Sequence, residues 1–395
     1  MLVVADRQWD PQDLAALWQL RRRAAGGCGG GRWCDCVKIP APVAIDLDFW
    51  RGRRVLVTGH TGFKGAWLSL WLQSLGARAI GLAPGPPTSP SLYELADVGK
   101  GMSEQAVDVR DAPAMRRALR EARPEVVIHL AAQPMVRRSL IDPASTYEIN
   151  LMGTVNLLEA VRVGGESVGA VVVVTSDKCY ENLGDGPHRF VEDEPLGGAD
   201  PYSSSKACAE LVASAYRRSF GSVKGLARLG SARAGNVIGG GDWGEDRLLP
   251  DAVRAVRDGT LLKVRNPGSV RPWQHVLNPL AGYLALAQAL CEDAGTARAW
   301  NFGPPAEEAR PVRWIVERLA ALWDGRLEWE TDEGENPPEA QRLELDSAAA
   351  EARLNWHPGV GLGEALEMLV SWHEAHSAGR DMRAASLQQI ERFSS

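Results

Sequence analysis

A chain of 395 residues predicts two domains or one large α/β unit, at roughly 150 residues per domain. Its 45% apolar and 24% charged residues match ordinary globular usage and argue against wholesale disorder. A net charge of −6 removes the general electrostatic argument for nucleic-acid binding, and no run approaches the ~18 apolar residues of a membrane span.

In chain order, the first 45 residues read as a flexible extension, with a short helical pattern, then Arg21 to Arg23 and a Gly-rich stretch carrying Cys28, Cys34 and Cys36. Three thiolates without a second pair at useful spacing do not make a zinc knuckle, so no metal site is expected. The opening MLVVADRQWD lacks the features of a signal peptide, and six cysteines in a chain this long form no disulfide framework. The expectation is a soluble, cytoplasmic protein. Strands are predicted at 55–58, 78–82, 106–107, 126–130, 171–175 and 227–232, and helices at 67–75, 111–122, 146–163 and 202–220. That alternation implies right-handed βαβ crossovers and a doubly wound parallel sheet, a Rossmann-type α/β fold. Past Gly235 it breaks into loops, with helices near 249–257, 280–291 and 312–322. The predicted division is a dinucleotide-binding domain over 46–235, mainly a substrate lobe with returning sheet elements over 236–375, and a tail over 376–395. Such a lobe lies over the carboxyl ends of the strands, where an open α/β sheet binds its ligand.

Gly59-x-x-Gly62-x-x-Gly65 directly follows the first strand and opens the first helix. Glycines there permit a tight turn, close approach of a pyrophosphate and helix-on-strand packing, and the helix N-terminus adds free N–H groups and positive partial charge. Gly59, Thr61, Gly62, Phe63, Lys64 and Gly65 are therefore candidate cofactor ligands, together with Asp108, Val109, Ala131 and Ala132. Asp108 is placed to accept from an adenine amino group or to cap a helix, and Asp111 fits the cap better. The second strand ends in Gly81-Leu-Ala-Pro84, without the acid that would bind the ribose of NAD and without a nearby base for the phosphate of NADP; the reading leans only slightly to NAD.

Tyr202-Ser-Ser-Ser-Lys206 opens a helix, so phenol and ammonium share one face. Lowering a tyrosine pKa by three units corresponds to about 4 kcal/mol, which a neighbouring ammonium and a cationic nicotinamide ring supply jointly. Only 7 lysines stand against 37 arginines, yet Lys64, Lys178 and Lys206 all fall in motifs, as expected where a compact titratable ammonium is wanted. Ser176, Asp177 and Lys178 follow the fifth strand, where strand ends face the ligand crevice: a hydroxyl for a substrate oxygen, then an acid and a potential base. Without that position, Asp-Lys would read as a solvated surface pair.

The strings GHTGFKGAWLSLWL, TSDKCYEN, DPYSSSKACAELV, ARAGNVIGGGDW, RPWQHV and AWNFGP resemble the extended short-chain dehydrogenase/reductase family and, within it, the branch of CDP-glucose 4,6-dehydratases, over about residues 49–372. The resemblance implies tightly held NAD and CDP-glucose as substrate. It implies oxidation at carbon 4 with Tyr202 as base, Ser176 holding the oxygen and Lys206 tuning the phenol, then loss of water across carbons 5 and 6 and hydride return to carbon 6. Asp177 matches the family's elimination pair, whereas Lys178 stands where the dTDP-sugar enzymes carry glutamate, which leaves the carbon-5 base open. Gln133, Asn236, Arg247, Arg265 and Arg271 are candidates for the nucleotide-sugar. Trp243 either stacks on the pyrimidine or packs, and Cys179, Cys208 and Cys291 read as packing residues. The helices over 146–163 and 202–220 carry apolar residues on more than one face, and the resemblance implies that they pair into a homodimer. An epimerase or reductase of the same fold would keep Tyr202 and Lys206 without needing the Asp177–Lys178 pair. A non-catalytic dinucleotide sensor would need none of these residues.

Overall fold

Short Val/Ile-rich runs separated by helices become a seven-stranded, all-parallel sheet in the computed structural model, which describes residues 45–182, 184, 186, 188–221, 223, 227–334 and 342–394. The N-terminal extension, with Cys28, Cys34 and Cys36, lies outside the described residues apart from residue 45. The strands are β1 (Arg54–Thr58), β2 (Arg78–Leu82), β3 (Ser103–Gln105), β4 (Val126–His129), β5 (Ala170–Val174), β6 (Arg228–Ala234) and β7 (Ala299–Phe302). Their order across the sheet is β7-β6-β5-β4-β1-β2-β3. The winding reverses between β1 and β4, and the crevice at the carboxyl ends of those two strands is the place this topology offers a ligand.

Both faces of the sheet are buried, which is why the strands are continuous apolar runs. Alternate side chains serve opposite cores. Val55, Val57, Val126, Ile128, Val172 and Val174 face one core with helices α1 (Phe63–Ser74), α6 (Leu277–Glu292), α8 (Leu362–Ser377) and α9 (Met382–Ser394). Leu56, Val127, Val171 and Val173 face the other, under α2 (Ala112–Ala122), α3 (Gly153–Gly164) and α4 (Pro201–Phe220). The remaining longer helices, α5 (Leu248–Asp258) and α7 (Val312–Leu322), extend the first core. Each such aliphatic side chain contributes about 1.5–3 kcal/mol on full burial.

The chain departs from the predicted elements at three places. The third strand lies at Ser103–Gln105, not at 106–107: Ile80, Gly81 and Leu82 register with Ser103, Glu104 and Gln105, so the polar edge strand is held by backbone pairing. Val107 attracted the prediction because it is apolar, but it is buried in the second core. The single helix expected over 146–163 is a short helix Pro143–Tyr147, a π-turn Glu148–Met152 and then α3. The break lies where Gly153 packs so close that a Cβ would meet Val109 Cγ2 at 2.6 Å. The expected tail is helix α9, whose Met382, Ile390 and Phe393 are buried; Phe393 packs edge-on against Trp71 at 5.4 Å, and Trp372 Nε1 donates to Ser386 Oγ at 2.9 Å.

Beyond residue 235 the chain makes small pairings: Val237–Ile238 with Gln274–His275, Leu262–Val264 with Trp329–Thr331, and Val270–Arg271 with Arg310–Pro311. Strand β7 then returns beside β6 at the sheet edge. Among the described residues, no helix is long and apolar enough to cross a membrane.

Candidate active site

The glycine loop turns on Gly59, whose φ of +73° is left-handed and costs glycine nothing. A Cβ on Gly59 would lie 2.8 Å from the backbone of Ala131, and one on Gly65 would lie 2.1 Å from the carbonyl oxygen of Gly59. Both contacts are with backbone, so neither glycine tolerates a side chain. Gly62 is the N-cap of α1, with no side-chain cap on its first turn; this leaves N–H donors and the positive end of the helix facing the crevice. Across the reversal point, Thr58 Oγ1 accepts from Ala131 N at 3.2 Å and lies 2.7 Å from His129 Nδ1, while His129 Nε2 meets Thr154 Oγ1 at 3.2 Å. That chain of contacts fixes Ala131 and Ala132 opposite the glycine loop. Thr61 donates to Gly85 O at 2.7 Å, tying the loop to the segment after β2. Asp108 holds Arg110 through a bidentate pair and accepts its backbone N–H at 2.9 Å, which holds the Asp108 carboxyl below its ordinary range. Asp111, not Asp108, caps α2, accepting from Ala114 N. A close, side-chain-free cradle at a helix N-terminus, facing a backbone loop, fits the diphosphate of a dinucleotide.

At the end of β5, Ser176 Oγ donates to Asp177 Oδ1 at 2.8 Å. Asp177 is buried and its second carboxylate oxygen has no protein partner. Lys178 Nζ lies 3.9 Å from Asp177 Oδ1, with its side chain still 29% exposed. Asp200 caps α4 by accepting from Ser203 N, and Tyr202 follows in the first turn, its N–H donating to Ser139 Oγ at 3.1 Å. Lys206, one turn on, donates to Val174 O at 3.2 Å, bringing its ammonium to the end of β5. Burial pushes the Tyr202 phenol up to about 12; a hydrogen bond with Ser176 pulls down and the Asp177 charge pushes up. Burial lowers Lys206 to about 8, against the raising influence of Cys179 and Glu210. Ser176, Asp177, Lys178, Tyr202 and Lys206 are thus brought together, and the protein's own groups keep Tyr202 a phenol at neutral pH.

The remaining candidates are distributed around this cluster. Arg247 pairs with Asp242 at 2.9 Å and lies within electrostatic reach of Tyr202. Arg265 Nη2 donates to Asp246 O at 3.1 Å, and Arg137 pairs with the same residue's carboxylate at 3.2 Å. Arg271 is buried and donates to Val270 O; Asn236 O accepts from Gln274 N. Gln133 is buried, with its amide engaged by Met135 and by Thr146 Oγ1, so it holds its own loop. Trp243 is buried edge-on against His373 and His376, which favours packing. Burial pushes the Cys179 thiol well up and raises that of Cys291, as expected of packing cysteines.

Three features were not anticipated. Asn150, in the π-turn, bridges Gln133 O at 3.1 Å and Ser205 Oγ at 2.8 Å, locking the loop after β4 to the catalytic helix; nothing in the polar and apolar residues around it marks that role. Tyr283 of α6 is fully buried and accepts from Lys64 Nζ at 3.3 Å. Beneath Lys206, Glu210 pairs with Arg233 at 2.9 Å, both buried.

Comparison with known proteins agrees with this geometry. The family model described as GDP-mannose 4,6 dehydratase matches residues 56–369. The CDP-glucose 4,6-dehydratase of Salmonella typhimurium is 48% identical over 356 residues, covering 89% of this chain and 99% of that protein. A dTDP-glucose 4,6-dehydratase of Streptomyces griseus is 30% identical, over 82% of this chain and 94% of its own length. Among solved structures, the dTDP-glucose 4,6-dehydratase of Streptomyces venezuelae with NAD bound superimposes with a TM-score of 0.70 at 25% identity, covering 84% of this chain and 99% of that one. The UDP-glucose 4-epimerase of Thermus thermophilus in complex with NAD gives 0.70 at 29%, covering 81% and 99%. Cradle, serine–tyrosine–lysine cluster and near-full-length matches lead to one conclusion: the chain belongs to the GDP-mannose 4,6 dehydratase family.

Proposed function

We propose that the chain is an NAD-dependent CDP-glucose 4,6-dehydratase, a lyase that converts CDP-D-glucose to CDP-4-keto-6-deoxy-D-glucose and water. The observation that carries this reading is the juxtaposition of Ser176, the Asp177–Lys178 pair, Tyr202 and Lys206 at the carboxyl end of one strand, beside a side-chain-free dinucleotide cradle. NAD supplies the hydride acceptor for carbon 4 and the donor that later reduces carbon 6. Gly59, Thr61, Gly62, Phe63, Gly65, Asp108, Val109, Ala131 and Ala132 line its site, with Tyr202 and Lys206 at the reactive end.

Tyr202 Oη takes the proton of the carbon-4 hydroxyl while Ser176 Oγ holds that oxygen. A phenol pushed up to about 12 is a poor base by itself, so the Lys206 ammonium must stabilise the phenolate. The resulting ketone acidifies carbon 5. Asp177, as a carboxylic acid, then gives a proton to the departing carbon-6 hydroxyl, which leaves as water, and Lys178, as the neutral amine, takes the carbon-5 proton. Asn236, Arg247, Arg265 and Arg271 supply donors and cations for the nucleotide diphosphate, and Gln133 shapes the wall of that site. Residues 46–235 carry the cofactor and 236–375 chiefly the nucleotide-sugar.

Incubation with CDP-glucose and NAD, followed by alkali, should develop the near-ultraviolet absorbance of a 4-keto sugar. No such absorbance with any nucleoside-diphosphate glucose would reject the reading. The protein is further read as a cytoplasmic homodimer pairing through α3 and α4. Apolar Met152, Val163 and Leu211 are 47%, 61% and 58% exposed on the protomer, which supports a covered face there. A monomer by light scattering at micromolar concentration would reject that pairing.

A further inference from the structure

A chain of buried polar side chains runs from the loop after β4 to the helix that carries Tyr202, with His129 near its middle. Thr58, His129, Asn150, Thr154 and Ser205 are each at most 2% exposed, so protein groups must complete their hydrogen bonds. Each link then has one possible direction, because a carbonyl only accepts and a hydroxyl has a single proton. Ser205 Oγ donates to Tyr202 O at 2.7 Å and therefore accepts from Asn150 Nδ2 at 2.8 Å. The second amide proton goes to Gln133 O, and Asn150 Oδ1 accepts from Gln133 N at 2.8 Å. On the other branch, Thr154 Oγ1 donates to Asn150 O at 2.7 Å. Its oxygen must then accept from His129 Nε2, 3.2 Å away. With the ring proton on Nε2, Nδ1 is a bare acceptor for the Thr58 hydroxyl at 2.7 Å, and the Thr58 oxygen accepts from Ala131 N at 3.2 Å. A proton on Nδ1 would turn the Thr58 hydroxyl away from its acceptor.

We propose that His129 is a positioning residue for the oxidative first step: as the Nε2–H tautomer, it joins the cofactor cradle to the Tyr202 helix through hydrogen bonds of fixed direction. The role rests on the dehydratase reading, because it matters only where Tyr202 must meet a bound cofactor. Ala131 is the residue whose backbone closes on Gly59, and Gln133 ends the same short loop. The His129 branch holds the first and the Asn150 amide holds the second. Neither end of the loop moves without breaking a buried hydrogen bond. Both branches meet at Asn150, and from there the chain ends on the carbonyl of Tyr202 itself. The ring is neutral, as the chain requires: burial and the Lys206 charge hold it down to about 3. A side chain that only filled space here could be leucine. The chain instead needs an acceptor and a donor on opposite edges of one flat group, which a singly protonated imidazole supplies.

Seven histidines in the chain make imidazole nitrogen spectra by nuclear magnetic resonance practicable, with isotope-labelled histidine and signals assigned by substitution. In the full-length protein without substrate, His129 should show a protonated Nε2 and a bare Nδ1. His129→Leu removes both ends of the link, whereas His129→Gln keeps a donor towards Thr154. Thr154→Val keeps the shape of the threonine and cuts the chain on the Asn150 side. Single-turnover reduction of NAD by CDP-glucose, with both saturating, should slow by up to about 100-fold in His129→Leu, the scale of a misplacement of about 1 Å. Thr154→Val should slow it too, and His129→Gln should recover part of the loss. NADH should not accumulate in any of them, because the step that slows is the one that forms it. Melting temperatures taken alongside separate this from lost stability; should His129→Leu fail to fold, Thr154→Val and the wild-type spectrum decide. A proton on Nδ1 in the wild-type spectrum would overturn the proposal. So would variants that melt lower yet reduce NAD at the wild-type rate, the behaviour of a merely structural residue. Both results would leave the dehydratase reading standing, since wild-type turnover tests that separately.

Discussion

Replacing Arg233 with methionine tests whether the floor of the active site is electrostatically coupled. Arg233 Nη2 lies 2.9 Å from Glu210 Oε2, with side chains 4% and 1% exposed. The same guanidinium donates to Tyr180 Oη and to Glu192 O at 2.8 Å each, while Glu210 accepts from Thr175 Oγ1 and Ser231 Oγ. Removing the cation leaves a buried carboxylate with only hydroxyl partners, a change that typically costs about 3–5 kcal/mol. At roughly 2–4 °C per kcal/mol for domains of a couple of hundred residues, the melting temperature should drop by roughly 10 °C. The pH dependence has a defined sign. Burial raises the Glu210 carboxyl, but the Arg233 charge and the hydrogen bonds outweigh it, leaving the folded value below the ordinary one. That depressed value contributes stability present above the unfolded carboxylate pKa and lost as pH falls through the folded value. In Arg233→Met the carboxyl shifts up instead, so its deficit against wild type should be largest at neutral pH and shrink on acidification. The double variant Arg233→Met/Glu210→Met removes the stranded charge and should recover most of the loss. Calorimetry from pH 5 to 8 measures all of this. A single-variant cost below about 1 kcal/mol, or a double variant less stable than Arg233→Met, would refute the reasoning.

Three further outcomes are expected. Gly65→Ala forces a Cβ to within 2.1 Å of the Gly59 carbonyl oxygen and should weaken NAD binding by at least about tenfold, or 1.4 kcal/mol; Gly363→Ala, with nothing within 4 Å of its added Cβ, is the neutral control, and equal titration curves for the two would contradict the cradle. Lys178→Ala should still reduce bound NAD but slow elimination by about 10² to 10⁴, so NADH accumulates in a single turnover, whereas Tyr202→Phe shows none; wild-type turnover by Lys178→Ala would make that ammonium a bystander. His129, His275 and His373 are held down to about 3, chiefly by burial. Since they are neutral when folded, each stabilises fully above the unfolded value near 6.5, and each loses about 1.4 kcal/mol per pH unit from there down to its folded value; a melting temperature flat between pH 6.5 and 5 would show that these rings are solvated.

What the sequence made legible, and what it did not, divides by the range of the interactions involved. The glycine cradle reads directly because its constraint is local: Gly59, Gly62 and Gly65 lie within one turn, and the carbonyl that excludes a side chain at Gly65 belongs to Gly59. Tyr202 and Lys206 read for the same reason, since four residues on a helix bring two side chains to one face. The parallel sheet was legible because burying both faces demands unbroken apolar strands such as Val171 to Val174. The helix over 146–163 failed at Asn150, where the contacts that justify a π-turn lie at Gln133 and Ser205, and the polar strand β3 failed because its edge pairing with β2 shows only in the backbone. Lys64 is the sharpest case. Its position in the motif pointed to a phosphate, but its partner Tyr283 stands 219 residues away, and nothing near Lys64 in the chain specifies that meeting. Helix α6 carries Tyr283 under the carboxyl ends of the strands only because Leu280, Leu284 and Ala287 are buried in the first core. A packing requirement of the sheet therefore decides which group a cofactor-loop lysine meets.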